Sequence, residues 1–594
     1  MNEYIERLTA FRAEMKAAGV DAAIVPQADP HLGEYLASHW QVRRWLSGFS
    51  GSAGDLVITA SKAALWTDSR YFLQAARQLE GTGIELMKDG LDGTPSIGEW
   101  LATELKAGDT VGIDGMLFTT PAIAKINSEL SRKNIQLKTD FDVIDRLWSD
   151  RPALPKGKIF VHDVKFAGES AIDKIAKIMA EAKAEGSDAV LVTALDEIAW
   201  ILNIRSNDVK HTPVATAYLY LRADGGILFI DPAKLTDGIK AYLASQGVVT
   251  EDYGNIKEFL KRVPSDESVF IDPNTVSVGL KSLVADHYKT KTPTTAARLK
   301  SVKNDVQIAG VHAAMVRDGA ALVRAFMELE SRLADSVPTT ELDVADLLHK
   351  YRSQGENYFD ESFGTIAGYG PHGAIVHYEA DEESKSTLHP EGLLLVDSGA
   401  QYLDGTTDIT RTICLGTPTD DERRDFTLVM KGHIALASAI YPAGTRGAQL
   451  NVLAQQYLWQ NGLLYLHGTG HGVGYFLSVH EGPHSIRLNW VDAPLLPGSI
   501  TSDEPGLYRE GVHGIRCENL VLCRERMTTE FGQFLGFEVL TLFPFDLNLF
   551  DKTLMTEQEI EWVDNYHAMV RERLLPALST DEEKEWLIRH TQKL

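Results

Sequence analysis

The sequence predicts an α/β chain in three domains, two of them alike and a third in which apolar strands carry acidic side chains. Three observations lead there. At 594 residues with 44% hydrophobic content, the chain is too long for one core and apolar enough for several. Two distant stretches open in the same order, a helix-like segment followed by a buried-strand run. Further on, short polar islands interrupt apolar strands between Asp397 and Glu518.

The alike stretches are Asp21-Ala22-Ala23-Ile24-Val25 and Asp188-Ala189-Val190-Leu191-Val192, each preceded by a helix-like segment that ends at Gly19 or Gly186. Each leads into more strand-like material, Ala64-Leu65-Trp66-Thr67-Asp68 in one case and Gly226-Ile227-Leu228-Phe229-Ile230-Asp231 in the other. This order suggests a duplicated α/β domain. Prolines 152 and 155 mark a first boundary and Thr292-Pro293-Thr294-Thr295 a second, because each proline biases its predecessor away from helix. The expected domains are therefore 1–155, 156–298 and 299–594.

In the third domain Asn304 and Gln307 form a capping pair, and Ile308, Val311, Met315, Leu322, Phe326 and Leu329 mark the apolar face of a long helix. Strands are expected at Leu393–Asp397 and Asp408–Ile413, with a turn signal at Asp404-Gly405 between them. Short strands follow Ser499. The chain closes in a helical extension, one helix entered at Thr556 with Glu559 as its capping partner.

A net charge of −25, dispersed along the chain, argues against nucleic acid or anionic membrane as partners. Three cysteines cannot build a disulfide framework, and the odd count suits a reducing compartment. The opening residues lack a signal-peptide pattern and no apolar run reaches a membrane span, so the expected location is cytoplasmic.

Two motifs match familiar patterns without their chemistry. His480-Glu481-Gly482-Pro483-His484 fits H-E-x-x-H, but that zinc site needs a helix, which Pro483 and Gly482 oppose. Gly368, Gly370 and Gly373 fit G-x-G-x-x-G, but Ala374-Ile375-Val376-His377-Tyr378 reads as a strand where that motif needs a helix. Cys517 and Cys523, six apart in an apparent strand, lie too far apart to bridge, and with Cys414 they read as packing residues.

Asp397, Asp408, His471, Glu504 and Glu518 are the informative set, because ionised groups inside strand-like segments are costly unless paired or metal-bound. Four carboxylates and one imidazole match the charge of two divalent cations, and oxygen-rich ligation favours a hard ion such as Mn²⁺. Two such ions would hold a bridging hydroxide and polarise a carbonyl, which suits amide hydrolysis. A hairpin turning at Asp404-Gly405 would leave Asp397 and Asp408 about 13 Å apart. A turn shifted towards Tyr402-Leu403, or a bulge, is therefore expected. His471 stands among Gly468, Gly470, Gly472 and Gly474, which tolerate unusual backbone angles and let a ligand approach the main chain.

The runs Val396-Asp397-Ser398-Gly399-Ala400, Thr407-Asp408-Ile409-Thr410-Arg411-Thr412, Gly470-His471-Gly472, Asp503-Glu504-Pro505-Gly506 and Ile515-Arg516-Cys517-Glu518-Asn519 resemble a known ligand series. It is that of the methionine aminopeptidase, prolidase and aminopeptidase P superfamily. Ser47-Gly48-Phe49-Ser50-Gly51-Ser52-Ala53-Gly54, Trp66-Thr67-Asp68-Ser69-Arg70-Tyr71 and Pro544-Phe545-Asp546 extend the resemblance to the long, three-domain form of aminopeptidase P.

That resemblance implies two creatinase-like N-terminal α/β domains before a pita-bread catalytic domain, and a homodimer. It implies that Asp397, Asp408 and Glu518 hold one divalent ion and Asp408, His471, Glu504 and Glu518 the other, with Mn²⁺ expected and Zn²⁺ or Co²⁺ as alternatives. His377, His480 and Glu504 would be catalytic. His377, His467, His480, Tyr508 and Arg516 would bind the substrate, a peptide with proline in second place whose first residue is removed. A prolidase shares the five ligands but acts on dipeptides. A metal-less relative serving as a binding platform would be expected to have lost ligands, and none is lost here.

Overall fold

In the computed structural model, which describes residues 2–284 and 287–594, the Asn2 side chain caps helix α1 (Glu3–Ala17) by accepting from Tyr4 N. Gly19 at φ +67° ends it, a left-handed conformation natural to glycine, and β1 (Ala22–Val25) follows, buried along its length. Ser170 caps α2 (Ala171–Ala184), Gly186 at φ +75° ends it, and the equally buried β7 (Ala189–Val192) follows.

The match continues through two sheets. β1 joins β2 (Asp55–Thr59), β3 (Ala63–Thr67), β4 (Glu85–Lys88), β5 (Thr110–Gly112) and β6 (Gln136–Lys138) in the order β4-β3-β2-β1-β5-β6. β7 joins β8 (Ala217–Arg222), β9 (Gly225–Ile230), β10 (Val248–Glu251), β11 (Val269–Ile271) and β12 (Tyr288–Thr290) in the order β10-β9-β8-β7-β11-β12. In both sheets the first strand runs antiparallel to the second and parallel to the fifth, and the third and fourth are parallel. A shared order with shared directions is what duplication of one α/β unit leaves.

By contacts, Met1–His162 with Glu169–Ala296 form one compact unit, and Asp163–Gly168 with Ala297–Leu594 another. In the second, Asn304 and Gln307 close a capping box on α3 (Asp305–Ala334), whose Val311, Met315, Leu322, Phe326 and Leu329 enter the core. α4 (Glu341–Arg352) packs along it. The strands that follow are β13 (Tyr358–Glu361), β14 (Ile366–Tyr369), β15 (Leu393–Ser398), β16 (Ala400–Tyr402), β17 (Gly405–Thr406) and β18 (Ile409–Cys414). They form two three-stranded sheets, β13-β16-β17 and β14-β15-β18.

After helix α5 (Asp420–Ala437), β19 (Ile440–Pro442), β20 (Gly470–Gly472), β21 (Glu481–Ile486), β22 (Ile500–Asp503), β25 (Asn519–Thr529) and β26 (Gly532–Val539) build a six-stranded sheet. Its order is β19-β26-β25-β22-β20-β21, and β23 (Gly506–Arg509) with β24 (His513–Arg516) make a separate two-stranded ribbon. α6 (Glu557–Leu574) enters through the expected Thr556/Glu559 box. No helix among the described residues is long and apolar enough to cross a membrane.

One local expectation holds and three need correction. The hairpin turn shifts as expected, from the turn signal to Leu403-Asp404, since Gln401 faces Thr406 and Tyr402 faces Gly405. The same register sets Asp397 opposite Thr410, so Asp408 sits diagonally across from Asp397 on the same face, within about 7–8 Å. The hairpin splits between two sheets at Gly399, where a Cβ would overlap Thr407 O and Ser362 Oγ.

The segment 374–378 is not a strand. A 3₁₀ turn, Gly370–Ala374, occupies its start, because Gly368 and Gly373 let the chain fold back within van der Waals contact of itself. The glycines around His471 do not adopt positive φ. Gly470 and Gly472 serve close strand approach instead, since a Cβ at either would overlap Ser502 O or Glu481 O. Cys517 lies between β24 and β25 and only Cys523 lies in a strand, and both are free, as is Cys414.

Candidate metal centre

All five acidic and histidine positions lie at ends or irregularities of strands, where the ladder releases a side chain. Asp397 is near the end of β15, Asp408 precedes β18, His471 sits at the bulge of β20, Glu504 follows β22 and Glu518 precedes β25. Asp408, His471 and Glu518 offer ligand atoms that all lie within 4.8 Å of one another. His471 Nε2 is 3.5 Å from both Asp408 Oδ2 and Glu504 Oε1. Asp397 completes the group from the diagonal position, its charge opposed by that of Asp408.

Each anchored ligand keeps one atom spare. Arg516 Nη2 donates to Asp397 Oδ2 at 2.6 Å and Thr410 Oγ1 to Glu518 Oε2 at 2.8 Å. Asp397 Oδ1 and Glu518 Oε1 are buried with no hydrogen-bond partner. His471 Nδ1 lies 2.9 Å from Gly472 O, so it carries a proton and leaves Nε2 for the carboxylates. Unpaired buried carboxylate oxygens are costly, and oxygen donors beside one imidazole nitrogen are the set that hard divalent cations take. The residues present fit such ions.

Electrostatics agree. Burial, then repulsion from Asp408 and Asp397, raises the Glu518 carboxyl well above the usual range. Glu504 is pushed up to about 7, by burial first and then by its carboxylate neighbours, against the pull of His471 and Arg516. Asp397 is raised by burial against the pull of Arg516. Against its own desolvation, Asp408 and Glu504 push the His471 imidazole up to about 9. Without metal, the folded site holds protons where dications would sit.

Of the other expected residues, Arg516, Tyr508, His467 and His480 connect to this cluster through hydrogen bonds or ring contact. Arg516 Nη1 donates to Tyr508 OH at 2.8 Å, and Tyr508 OH donates to His467 Nε2, also at 2.8 Å. His467 Nδ1 therefore bears the proton and donates to Gly468 O. The His480 ring stands edge-on to His471, centroids 4.3 Å apart. His377 is half-buried in the turn after the 3₁₀ segment, between Ile375 and Tyr378, which pack in a cluster with Tyr508. In the H-E-x-x-H run, Glu481 pairs with Lys300 at 2.6 Å and with Lys303, and His484 Nε2 donates to Ile500 O. That run lies in and beside a strand, and His484 and Glu481 are structural.

Several supports had no sequence signal beyond their place in the motifs. Thr410 holds both Glu518 and Arg516 Nε, and Ser502 Oγ bridges His471 N and Glu504 Oε1. Arg411 is buried, donates to the Glu518 carbonyl, Asn519 Oδ1, Phe543 O and Tyr566 OH, and lies over the Phe545 ring. On α5, His433 contacts Asp503 O and Asn519 Nδ2, each one residue from a candidate ligand.

Metallopeptidase family M24 matches residues 309–525, and the C-terminal region of peptidase M24 matches 533–594. Creatinase/prolidase N-terminal domains match 7–146 and 150–307. A probable Xaa-Pro aminopeptidase P of Aspergillus niger is 41% identical over 608 residues, covering 99% of this chain and 98% of its own length. The chain belongs to the aminopeptidase P family. Aminopeptidase P2 of Arabidopsis thaliana is 39% identical, covering 99% of this chain and 88% of that protein. The X-prolyl aminopeptidase of Caenorhabditis elegans, described as a cytosolic enzyme with a di-nuclear active site, superposes with a TM-score of 0.95 at 33% identity. That match covers 100% of this chain and 99% of the other. The family architecture is therefore creatinase-like N-terminal domains before a pita-bread metallopeptidase domain, as the sequence resemblance implied.

Proposed function

We propose that this chain is an Xaa-Pro aminopeptidase, removing the first residue from peptides with proline in second place by means of two divalent cations. One observation carries it: Asp408, His471 and Glu518 converge from strand ends with Glu504 3.5 Å from His471, and buried, partnerless oxygens stand on Asp397 and Glu518. Asp397, Asp408 and Glu518 would hold one ion, and Asp408, His471, Glu504 and Glu518 the other, with Mn²⁺ the expected metal and Zn²⁺ or Co²⁺ alternatives. When bound, such a pair supplies Lewis acidity and lowers the pKa of water enough for amide hydrolysis at neutral pH.

The chain's own groups do the rest. Cleaving an Xaa-Pro bond releases a basic secondary amine, so a proton must reach the proline nitrogen. Glu504, with its raised proton affinity, is suited to receive a proton from the attacking water and pass it on. His377 and His480 would donate hydrogen bonds to the scissile carbonyl as negative charge develops there. Tyr508, kept neutral with its pKa pushed up to about 12 by burial, and His467 would form a wall for the proline ring, their centroids 5.4 Å apart. Arg516 would fix that wall relative to Asp397.

The same reading carries domain limits at 1–155, 156–298 and 299–594, a cytoplasmic location and a homodimer. The cytosolic relative from C. elegans supports the location. Chelation and readdition test the metal requirement on Xaa-Pro-Yaa peptides. Activity should vanish with the metal and return with about two equivalents of Mn²⁺, whereas turnover by metal-free protein would refute the proposal.

A further inference from the structure

Glu341, the first residue of α4, is fully buried, and four donors converge on its carboxylate. Tyr369 N donates to Oε1 at 2.8 Å, and His372 Nδ1 lies 2.9 Å from Oε1 and 3.1 Å from Oε2. Tyr378 OH donates to Oε2 at 2.9 Å and Ser386 N to the same oxygen at 2.7 Å. A carboxylate only accepts, so His372 carries its proton on Nδ1. Burial, reinforced by Glu341, raises the Tyr378 phenol above its ordinary value and keeps it a donor.

All four donors belong to the segment that holds His377. Tyr369 opens that segment at the end of a strand, Ser386 closes it, and Tyr378 is the immediate neighbour of His377. Between Tyr378 and Ser386 run exposed Asp381, Glu382 and Glu383, where Asp381 Oδ1 accepts from Glu383 N and Ser384 N and closes a local turn. The stack of His372 on Tyr378, centroids 4.4 Å apart, stiffens the middle. Glu341 is itself fixed, because Thr340 caps α4 and Glu341 N donates to Ser386 O. A charge at a helix N-terminus is stabilised by the helix dipole, which makes this carboxylate a strong acceptor at a fixed point.

We propose that Glu341 is a positioning residue, clamping the Tyr369–Ser386 segment so that His377 meets the scissile carbonyl. This rests on the reading of His377 as a substrate contact. A misplacement of about 1 Å at such a group can cost up to about 100-fold in rate.

The test is a double-mutant cycle on full-length, metal-loaded protein, with Glu341→Gln, Tyr378→Phe and His377→Ala. Glu341→Gln replaces one acceptor oxygen by a donor, and Tyr378→Phe removes one donor while leaving the carboxylate intact. Each should lower kcat by about 10-fold, with unchanged metal stoichiometry and faster amide hydrogen exchange in residues 370–386. Combined with His377→Ala, neither should lower kcat further. Additive losses would overturn the proposal, because the clamp would then act elsewhere than on His377. A His377→Ala protein with normal kcat would overturn the role of His377 and this proposal with it. If Glu341→Gln does not fold, the Tyr378→Phe arm decides alone.

Discussion

Asp408 bears a heavy demand, since it is, with Glu518, one of the two carboxylates that both ions would share. Asp408→Asn keeps its size and loses its charge, so bound metal should fall below one equivalent and turnover to background. Near-normal metal content and rate would remove it from the ligand set. The raised groups beside it make a second prediction. Glu504 moves from an ordinary 4.5 to about 7 and His471 from 6.5 to about 9. Between about pH 4.5 and 9 these two groups therefore hold more protons in the metal-free folded protein than in the unfolded chain, and their contribution to its stability falls as pH rises through that window. Metal binding displaces those protons. The gap in melting temperature between metal-loaded and chelated protein should widen from pH 5 to pH 8, and a constant or narrowing gap would show that these groups do not hold the ions.

At this scale the sequence exposed the candidate ligands and hid the residues that hold them. Ionised side chains inside apolar strands stand out because burying them is costly. Thr410 and Ser502 do not, since a hydroxyl is unremarkable in a strand, and Glu341 looks like any acidic residue in a helix's first turn. Their roles depend on partners far away in sequence, such as Glu518 for Thr410 and Ser386 for Glu341.

Among the elements, the Leu393–Cys414 hairpin shows how the place of a turn decides chemistry. Turning at Leu403-Asp404 moves Asp408, already on the face of Asp397, to the position diagonal to it, and the break at Gly399 lets the two halves enter different sheets. Turn propensity pointed to Asp404-Gly405, but Gly405 is used for its small size, against Val311 and Ala314 of α3. Apolar composition made 374–378 resemble a strand, although close backbone approach at Gly368 and Gly373 folds it into a turn. Gly399→Ala is predicted to destabilise the protein by about 1–3 kcal/mol through overpacking and to weaken metal binding, because Thr407 must move and Asp408 with it. Denaturant melts with metal titration check this, and a stable variant with normal metal affinity would contradict it.

Across the whole molecule, duplication of the first two sheets was visible as a recurring helix–glycine–buried-strand order, and strand order with direction makes it firm. Pairing across each sheet was not legible, because the parallel neighbours β1 and β5 are separated by the rest of their unit. The catalytic unit reaches to the chain's end: Arg411, between the carbonyl of Glu518 and Tyr566 of α6, ties the C-terminal helices to the strands that carry the ligands.

The most direct test of Xaa-Pro aminopeptidase activity is product identification with kcat/KM on matched Xaa-Pro-Yaa, Xaa-Pro and Xaa-Ala-Yaa peptides. A pocket shaped for a ring without an N–H disfavours ordinary residues, whose amide donor would be left unpaired. Xaa-Pro-Yaa should release its first residue, and replacing Pro by Ala should lower kcat/KM at least about 100-fold, or about 2.7 kcal/mol. Cleavage confined to Xaa-Pro dipeptides, or equal rates on Xaa-Ala-Yaa, would contradict it.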